Sequence, residues 1–495
     1  MRRPGPLFAA ALLGVTLVAA APGCDGDDAA RSAWLHNALV LDNQVFLEND
    51  PGLAAGKFAK MGLGLYPFFR GGAGLYARDL AEAGSPGYLP TAYLSEDAAD
   101  VALVGDPHLE NLGTFRRVDG ALIIDFNDYD AATYGPYHFD VRRLAVSVAI
   151  AAAVIDEASP GFAEAAAGAP EAVARAYVDE IEALAGGGEI PRALEGAVLG
   201  EILDDLVKKA LEKGDAREEL SDYTRIEGGA RVLFFGDVEP ALQWSGGPFD
   251  HEVISDRVAP VDEAEAAVIL AALADYPPTL ADPRLMSPEA LTVKGLGRRL
   301  GAGVASYPVR RYYALVEGPT DALEDDVLLE LKQVFDPLMV PGLRQAGGRI
   351  YADNGERVCM LQRALQGGGD VDPLLGVARA GDLDLRVHER AKIQRGLDVA
   401  RMAEKIGEGK WDAAEYLEMS RWAGRLLARA HARAPKRDGE PGLGAIHAGL
   451  RGDGDGFVAE TAGFVAVYAP VVIDDYRRFG EVLAEYGPGL GYVRR

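Results

Sequence analysis

Cysteine is almost absent from this sequence: of 495 residues, only Cys24 and Cys359 are cysteines. So few cysteines exclude a fold held by several disulfides and exclude zinc sites built from paired cysteines. Cys359 lies in an apolar stretch, which favours a buried and unreactive thiol. The fold must therefore depend on a packed core, and a hydrophobic content of 49% is sufficient for one.

Basic residues are also in short supply. The chain has 50 Lys and Arg against 76 Asp and Glu, which gives a formal net charge of -26. Such a charge repels nucleic-acid phosphates and anionic lipid surfaces unless basic residues are gathered on one face. We therefore expect neither DNA nor RNA as a partner.

The first apolar run of the chain, from about Leu7 to Ala21, is too short to span a bilayer comfortably. It follows Arg2 and Arg3 and ends in small residues before Cys24, which is typical of a secretory signal and resembles a bacterial lipoprotein processing box. We expect a signal peptide at residues 1–23, a lipid on Cys24 and a tether at residues 24–44. These features predict an exported lipoprotein of the cell envelope that meets the membrane only through this anchor.

Acidic residues follow two runs of strand character in the next part of the chain. The runs Val101–Val104 and Ala121–Ile124 read as paired strands, and Asp106 and Asp125 lie at their ends. Asn111 follows Asp106 by five residues, and Asp125 comes after the next strand. A loop Asp that orients or deprotonates a hydroxyl, an Asn five residues later and a metal-binding Asp after the next strand form the phosphoryl-transfer pattern of kinases.

This stretch resembles the catalytic loop of the aminoglycoside-phosphotransferase branch of the protein-kinase-like superfamily. It is more similar still to a bacterial family of unknown function, DUF2252, and the likeness extends from about residue 45 to residue 480. The motifs that carry it are Phe69-Arg70-Gly71, Gly-Asp-x-His-x-x-Asn-x-Gly at residues 105–113, Asn127-Asp128-Tyr129-Asp130, Gly135-Pro136 and Asp140-Val-Arg-Arg-Leu144.

The resemblance implies an α+β, protein-kinase-like fold of two lobes. It places a catalytic subdomain at residues 45–290, a β-rich subdomain with a glycine loop at 291–380, and a helical region at 381–495. In ordinary kinases the glycine loop precedes the catalytic loop, whereas here it would follow, so the lobe order is permuted. Asp140 is expected to support the catalytic loop from the start of a buried helix.

The resemblance also implies site residues. The catalytic residues would be Asp106, His108 and Asn111. Magnesium or manganese would be held by Asn111, Asp125 and Asp128, because such ions prefer oxygen ligands. ATP, the expected phosphoryl donor, would be bound by Gly301 and Gly303 of the glycine loop and by the cations Lys332 and Arg70.

The predicted function is transfer of a phosphoryl group from ATP to the hydroxyl of a small molecule or a protein. A metal-dependent hydrolase is an alternative, since Asp106, His108 and Asp128 are also potential metal ligands. Metallophosphatases need further histidine clusters, however, and the seven histidines of this chain are scattered. The third hypothesis is a catalytically silent, kinase-derived lipoprotein that binds nucleotide or metal, because ATP is scarce outside the cytoplasm.

Overall fold

The computed structural model describes residues 25–191, 198–213, 220, 222–237, 256–286, 291–320, 322–337, 350–391 and 394–493. Within these ranges the protein mixes α-helices with antiparallel sheet, which agrees with the expected α+β class. The expected signal peptide and Cys24 lie outside the described residues.

Helices make up most of the described structure. In chain order they are α1 Asp25–Asn49, α2 Pro51–Met61, α3 Leu65–Gly71, α4 Ala73–Ala81, α5 Tyr137–Ala158, α6 Phe162–Ala165, α7 Ala169–Ala185, α8 Glu201–Lys213, α9 Glu263–Ala274, α10 Asn354–Gln366, α11 Val399–Gly407, α12 Ala413–Arg433, α13 Gly442–Leu450 and α14 Gly454–Tyr486. Capping side chains stabilise the N-termini of several of these helices. At α12, for example, Asp412 and Glu415 form a reciprocal capping box.

One large apolar core joins helices from both ends of the chain. Helix α12 packs against α7, and α14 packs against α7, α5 and α1. The segment predicted as a tether lies instead in α1, where Leu35 and Leu39 are buried in this core. Arg31 of the same helix pairs with Asp79 and Asp475. The helices that share this core, together with the segment 101–135 between α4 and α5, are called the helical body. Most of the C-terminal region at 381–495 belongs to it.

Helix α14 is, among the described residues, the one helix whose length and hydropathy would allow it to cross a membrane. Its side chains Phe457, Phe464 and Phe479 are nevertheless buried in the core of the helical body. The apolar character of α14 is therefore used, at least in part, for packing within the protein.

The strands are β1 Val101–Leu103, β2 Leu112–Arg116, β3 Leu122–Phe126, β4 Thr133–Gly135, β5 Thr224–Glu227, β6 Ala230–Leu233, β7 Gly236–Asp237, β8 Arg257–Pro260, β9 Val293–Leu300, β10 Arg311–Val316, β11 Val327–Gln333, β12 Gly376–Ala380 and β13 Leu383–Glu389. The two acid-ended strands do not pair with each other as predicted. Strand β1 pairs with β4, and β2 and β3 form a separate hairpin.

A seven-stranded antiparallel sheet, with the order β12-β13-β11-β10-β9-β8-β7, forms the second part of the molecule. Together with α9 it is called the sheet lobe, and α10 connects it to the helical body. The sheet extends beyond the predicted bounds of 291 and 380, because β8 pairs with β9 and β13 pairs with β11. Cys359 of α10 is buried, and burial raises the pKa of its thiol to about 12, which fits an unreactive residue.

Candidate functional site

A cavity of about 510 Å³ lies between the helical body and the sheet lobe and is called the junction cavity. The two parts of the molecule contribute opposite walls. The predicted site residues that line it are Arg70, Asp106, His108, Asn111 and Asp128 from the helical body, and Gly303 and Lys332 from the sheet lobe. Most of the residues selected from sequence patterns therefore meet at one place.

Asp140 stabilises the loop that carries Asp106 through hydrogen bonds to its backbone. The Asp140 carboxylate accepts hydrogen bonds from the backbone N–H groups of Val104 at 2.7 Å and Gly105 at 3.1 Å. His431 Nε2 lies 3.1 Å from the same carboxylate, and its Nδ1 lies 2.9 Å from the Tyr177 hydroxyl. Asp140 thus occupies the supporting position that the sequence suggested, and His431 acts through it.

Asp106 is fixed in orientation by an arginine on α5. Arg143 Nε donates to Asp106 Oδ1 at 2.8 Å, and the guanidinium lies over the Phe69 ring at 3.7 Å. Burial raises the pKa of Asp106, and the nearby charge of Arg143 partly offsets this rise. A carboxylate with a raised pKa that faces a cavity is a better proton acceptor than an ordinary surface aspartate.

Asn111 connects the Asp106 loop to the next acidic segment. Its side-chain Nδ2 donates to the backbone oxygen of Asp106 at 3.0 Å. Its backbone oxygen accepts from Asn127 N at 2.8 Å, which places Asp128 on the cavity wall. Asn111 and Asp128 thus both line the junction cavity.

His108 is buried beside Tyr66, with their ring centroids 6.3 Å apart. Burial lowers the pKa of His108 well below its usual value, and the charges of Arg70 and Arg143 lower it further. The imidazole is therefore neutral at pH 7. Its Nδ1 atom has no hydrogen-bond partner among the described residues.

Asp125, predicted as a metal ligand, does not line the junction cavity. It is buried on the other side of β3, where Arg433 Nη1 of α12 donates to its Oδ2 atom at 2.8 Å. Phe126 N donates to the other carboxylate oxygen at 2.9 Å. Burial raises the pKa of Asp125, and Arg433 counteracts this rise. Asp125 is thus an ion-pair partner of Arg433. Asp128 lies on the cavity wall, where Asp125 was expected.

Asp128 faces Lys332 across the junction between the two parts of the molecule. Lys332 Nζ lies 3.7 Å from Asp128 Oδ2 and also pairs with Asp130. Burial works to raise the pKa of Asp128, but Lys332 and Arg386 outweigh it and the net shift is downward. Asp128 is therefore ionised at neutral pH.

Four cations stand side by side on the face of the sheet that borders the cavity. The ladder pairs Lys332 with Arg311 on β10 and with Arg386 on β13, and Arg299 lies on β9 next to Arg298, the partner of Tyr312. We call this set, Arg299, Arg311, Lys332 and Arg386, the cationic row. All four side chains line the junction cavity although the chain as a whole is strongly acidic.

Each member of the cationic row has a carboxylate within ion-pairing distance, and Lys332 and Arg386 share Asp130. Arg299 pairs with Asp256, and Arg311 Nε lies 3.6 Å from Glu330 Oε2. The Nε atoms of Arg299, Arg311 and Arg386 are nevertheless buried without a hydrogen-bond partner in the part of the chain that the structure describes. Buried donors without acceptors are costly, so this row is suited to an anionic ligand with many oxygens.

The glycine segment lies where β9 turns toward β10. Gly301 and Gly303 have φ angles of +68° and +82°, which glycine adopts readily and other residues rarely do. Gly303 and the following residues up to Ser306 line the cavity, whereas Gly301 stands at the start of the turn and does not. Arg70 borders the same space and is ion-paired with Glu110.

Sequence reasoning did not select Arg143, Arg433 or three members of the cationic row. One local signal was available on β13, where Arg386 and His388 alternate with the apolar Leu385 and Val387 and therefore share one face. The arrangement of the row itself depends on which strands are neighbours, and local patterns do not contain this information.

The sequence model of one protein family, described as an uncharacterized protein conserved in bacteria (DUF2252), matches residues 49–482. The chain belongs to this family. The match includes every residue that lines the junction cavity, so the cavity lies wholly within the DUF2252 region. No curated protein and no solved structure matches the chain.

Metal binding by protein groups alone has little support in the described part of this DUF2252 protein. Over those ranges no three His, Cys, Asp or Glu side chains converge on a point that would hold an ion. Asp128 and Asn111 nevertheless line the same cavity as the guanidinium groups whose Nε atoms lack a hydrogen-bond partner. Magnesium commonly binds through one or two carboxylates together with phosphate oxygens and water, so the residues present fit magnesium bound along with a phosphate ligand.

Proposed function

We propose that this DUF2252 protein is an ATP-dependent phosphotransferase with a kinase-like site, which acts on the hydroxyl of a small molecule or a protein. One observation carries the proposal. Lys332 of the sheet lobe faces Asp128 across a cavity that also contains Asp106 and Asn111, although more than two hundred residues separate Lys332 from them in sequence. A lysine on a strand, opposite an acidic loop and below a glycine turn, is the arrangement by which kinases hold nucleotide phosphates.

The cationic row is suited to the triphosphate. Phosphoryl-transfer sites depend mainly on positioning and on stabilising negative charge, because the protein contributes little covalent chemistry. Arginine guanidinium groups bind phosphate oxygens through two parallel hydrogen bonds, whereas lysine acts as a point charge. The unsatisfied Nε atoms of Arg299, Arg311 and Arg386 are the donors that the phosphates would satisfy.

Asn111 and Asp128 would hold magnesium in this proposal, in place of the pair Asn111 and Asp125 expected from sequence. When bound, magnesium neutralises phosphate charge and favours one orientation of the donor. Asp128 is suited to the task because its lowered pKa keeps it ionised, whereas Asp125 is committed to Arg433.

Asp106 would receive the proton of the acceptor hydroxyl. As the acceptor oxygen forms its bond to the γ-phosphorus, the bond between that phosphorus and the bridging oxygen breaks, ADP departs and the proton passes to the Asp106 carboxylate. Arg143 keeps this carboxylate in one orientation, and the hydrogen bond from Asn111 to the Asp106 backbone fixes the loop. The site thus combines a positioned base with a cationic phosphate cradle.

A catalytically silent nucleotide-binding protein is the second candidate. The observation in its favour is the ion pair of Asp106 with Arg143, because it engages one oxygen of the carboxylate that would have to accept the hydroxyl proton. Both candidates require nucleotide binding, and only the first requires turnover. The two are therefore separated by a measurement of phosphoryl transfer.

Thermal unfolding of the purified protein with ATP, ADP, GTP or adenosine, each with and without magnesium or manganese, tests the proposal. A ligand that binds the native state stabilises it by about 2.7 kcal/mol at one hundred times its dissociation constant. We expect stabilisation by ATP that depends on the metal, together with slow release of phosphate. Asp106→Asn should retain the stabilisation and lose turnover. If no nucleotide raises the melting temperature under any metal condition, the proposal fails.

A further inference from the structure

A second cavity of about 480 Å³ adjoins the first and differs from it in chemistry. We call it the apolar cavity because large hydrophobic side chains dominate its walls. They include Phe46, Tyr76, Leu80, Phe139, Val334 and Phe335. Cavities of this size and character bind small organic molecules.

The two cavities meet at Asp106. This residue lines both, together with Asp130 and the segment Ala305–Ser306 that follows the glycine turn. Asp106 therefore has phosphate-binding cations on one side and an apolar chamber on the other. A hydroxyl group that reached Asp106 from the apolar cavity would lie at the border of the phosphate site.

Lys57 provides a charge inside the apolar cavity. Its residue is only 7% exposed, and its Nζ atom donates to Asn43 Oδ1 at 2.6 Å, the one hydrogen bond of this ammonium among the described residues. An ammonium group has three donors, so it can serve further acceptors. Burial lowers the pKa of Lys57 to about 8, which leaves it mostly charged at pH 7.

Three of the five carboxylates that line the apolar cavity have a cationic partner, and a fourth, Asp140, accepts hydrogen bonds from backbone N–H groups. Asp42 pairs with Arg78, Asp106 with Arg143 and Asp130 with Lys332. Within the described ranges no carboxylate lies at ion-pairing distance from Lys57. Lys57 is thus a buried ammonium whose hydrogen-bond partner is a neutral amide, and its complement is an anionic group on a ligand.

We propose that the apolar cavity binds the phosphoryl acceptor, and that this acceptor is an apolar hydroxy acid whose carboxylate pairs with Lys57 and whose hydroxyl faces Asp106. The binding site stands on its own geometry, whereas the role of its ligand as acceptor rests on the proposed function. The reaction would form an O–P bond at the ligand hydroxyl, break the bond from the γ-phosphorus to ADP and leave the hydroxyl proton on Asp106.

Calorimetric titration with three probes of equal chain length tests the site without nucleotide. The probes are 8-hydroxyoctanoate, octanoate, which lacks the hydroxyl, and 1-octanol, which lacks the carboxylate. We expect both acids to bind. Lys57→Met should weaken both acids about tenfold or more and leave 1-octanol unchanged, because only the acids lose a charged hydrogen bond.

Ala77→Phe is the second variant. Ala77 lines the apolar cavity and not the junction cavity, so a larger side chain there should block all three probes while ATP still raises the melting temperature. The retained response to ATP shows that each variant is folded. Binding of octanoate to Lys57→Met with the affinity of the parent protein would overturn the inference.

The outcomes separate this inference from the proposed function. Stabilisation by ATP and magnesium without binding of any probe at millimolar concentration would overturn the hydroxy-acid site alone. Binding of the acids in a protein that no nucleotide stabilises would overturn the phosphotransferase proposal and retain the acid-binding site. Binding of both, with phosphorylated 8-hydroxyoctanoate detected by mass spectrometry, would support both.

Discussion

Lys332 Nζ lies 3.7 Å from Asp128 Oδ2, and this contact joins the sheet lobe to the acidic segment of the helical body. Lys332 is 4% exposed and has neighbouring cations on both adjacent strands. A buried ammonium beside other cations is stabilised by the carboxylates that face it, and the oxygens of a polyphosphate ligand would stabilise it further.

Replacement of Lys332 by Met should weaken the binding of ATP with magnesium by about 10- to 100-fold and leave adenosine binding nearly unchanged, because a hydrogen bond between charged groups contributes about 1.5–3 kcal/mol. Lys332→Arg should restore part of the loss. Lys294→Met is the matched control, since Lys294 lies in the same sheet but pairs with Asp326 at 2.9 Å and does not line the cavity. Titration calorimetry with both ligands measures the effect, and equal losses for ATP and adenosine would contradict it.

The two neighbouring aspartates should respond differently to substitution. Asp128→Asn should remove the magnesium-dependent part of ATP binding and have a small effect on stability, because its carboxylate faces the cavity. Asp125→Asn should lower the free energy of unfolding by about 3–5 kcal/mol, since it leaves Arg433 buried without its carboxylate partner. Urea unfolding and ATP titrations with and without magnesium measure both. Loss of metal dependence in folded Asp125→Asn would restore the original assignment of Asp125.

The position of Asp125 outside the junction cavity shows what the sequence could not supply. Successive side chains of a strand point to opposite faces, so the identity of a residue near a strand end does not say which face it takes. Asp125 turns toward Arg433, whose place in the sequence is 308 residues away. The spacing from Asp106 and Asn111 led to this segment, in which the neighbouring Asp128 lines the cavity.

Long-range packing also explains why the segment predicted as a tether at residues 24–44 forms most of helix α1. Helix α1 reads as polar at its start, and the partners of Arg31 are Asp79 on α4 and Asp475 on α14. No local pattern reveals these partners. By contrast, Glu330 and Lys332 are two residues apart on β11 and therefore share one face, and the structure puts both on the junction cavity. The signal peptide and the lipid on Cys24 stay predictions.

The rate of phosphoryl transfer should fall as the pH decreases through the pKa of Asp106, because the ionised carboxylate is the form that accepts the proton. Burial raises this pKa and Arg143 counteracts the rise, so Arg143→Gln should move the acid limb of the pH–rate profile to higher pH. Arg143→Lys keeps the charge and should leave the limb near its original position. Arg142→Gln, which removes a buried partner of Glu460, is the control for general destabilisation. A limb at the same pH in Arg143→Gln would show that another group sets it.

The loop that presents Asp106 depends on a glycine with no room for a side chain. Gly105 has a φ angle of +91°, and a Cβ atom built there would lie 2.1 Å from the backbone oxygen of Ala131. Gly105→Ala should therefore combine an unfavourable backbone conformation with a steric clash and lower the free energy of unfolding by about 3 kcal/mol or more.

Gly120→Ala separates the two contributions. Gly120 has a similar φ angle of +87°, but no atom lies within 4 Å of the position its Cβ would take. This variant should cost only about 1–2 kcal/mol, which is the conformational contribution alone. The difference between the two variants in urea unfolding therefore measures the steric cost of a side chain against Ala131. Because Gly105 directly precedes Asp106, Gly105→Ala should also displace Asp106 and lower phosphoryl transfer under conditions in which both variants remain folded. Equal turnover in the two variants would show that the close approach to Ala131 serves stability only.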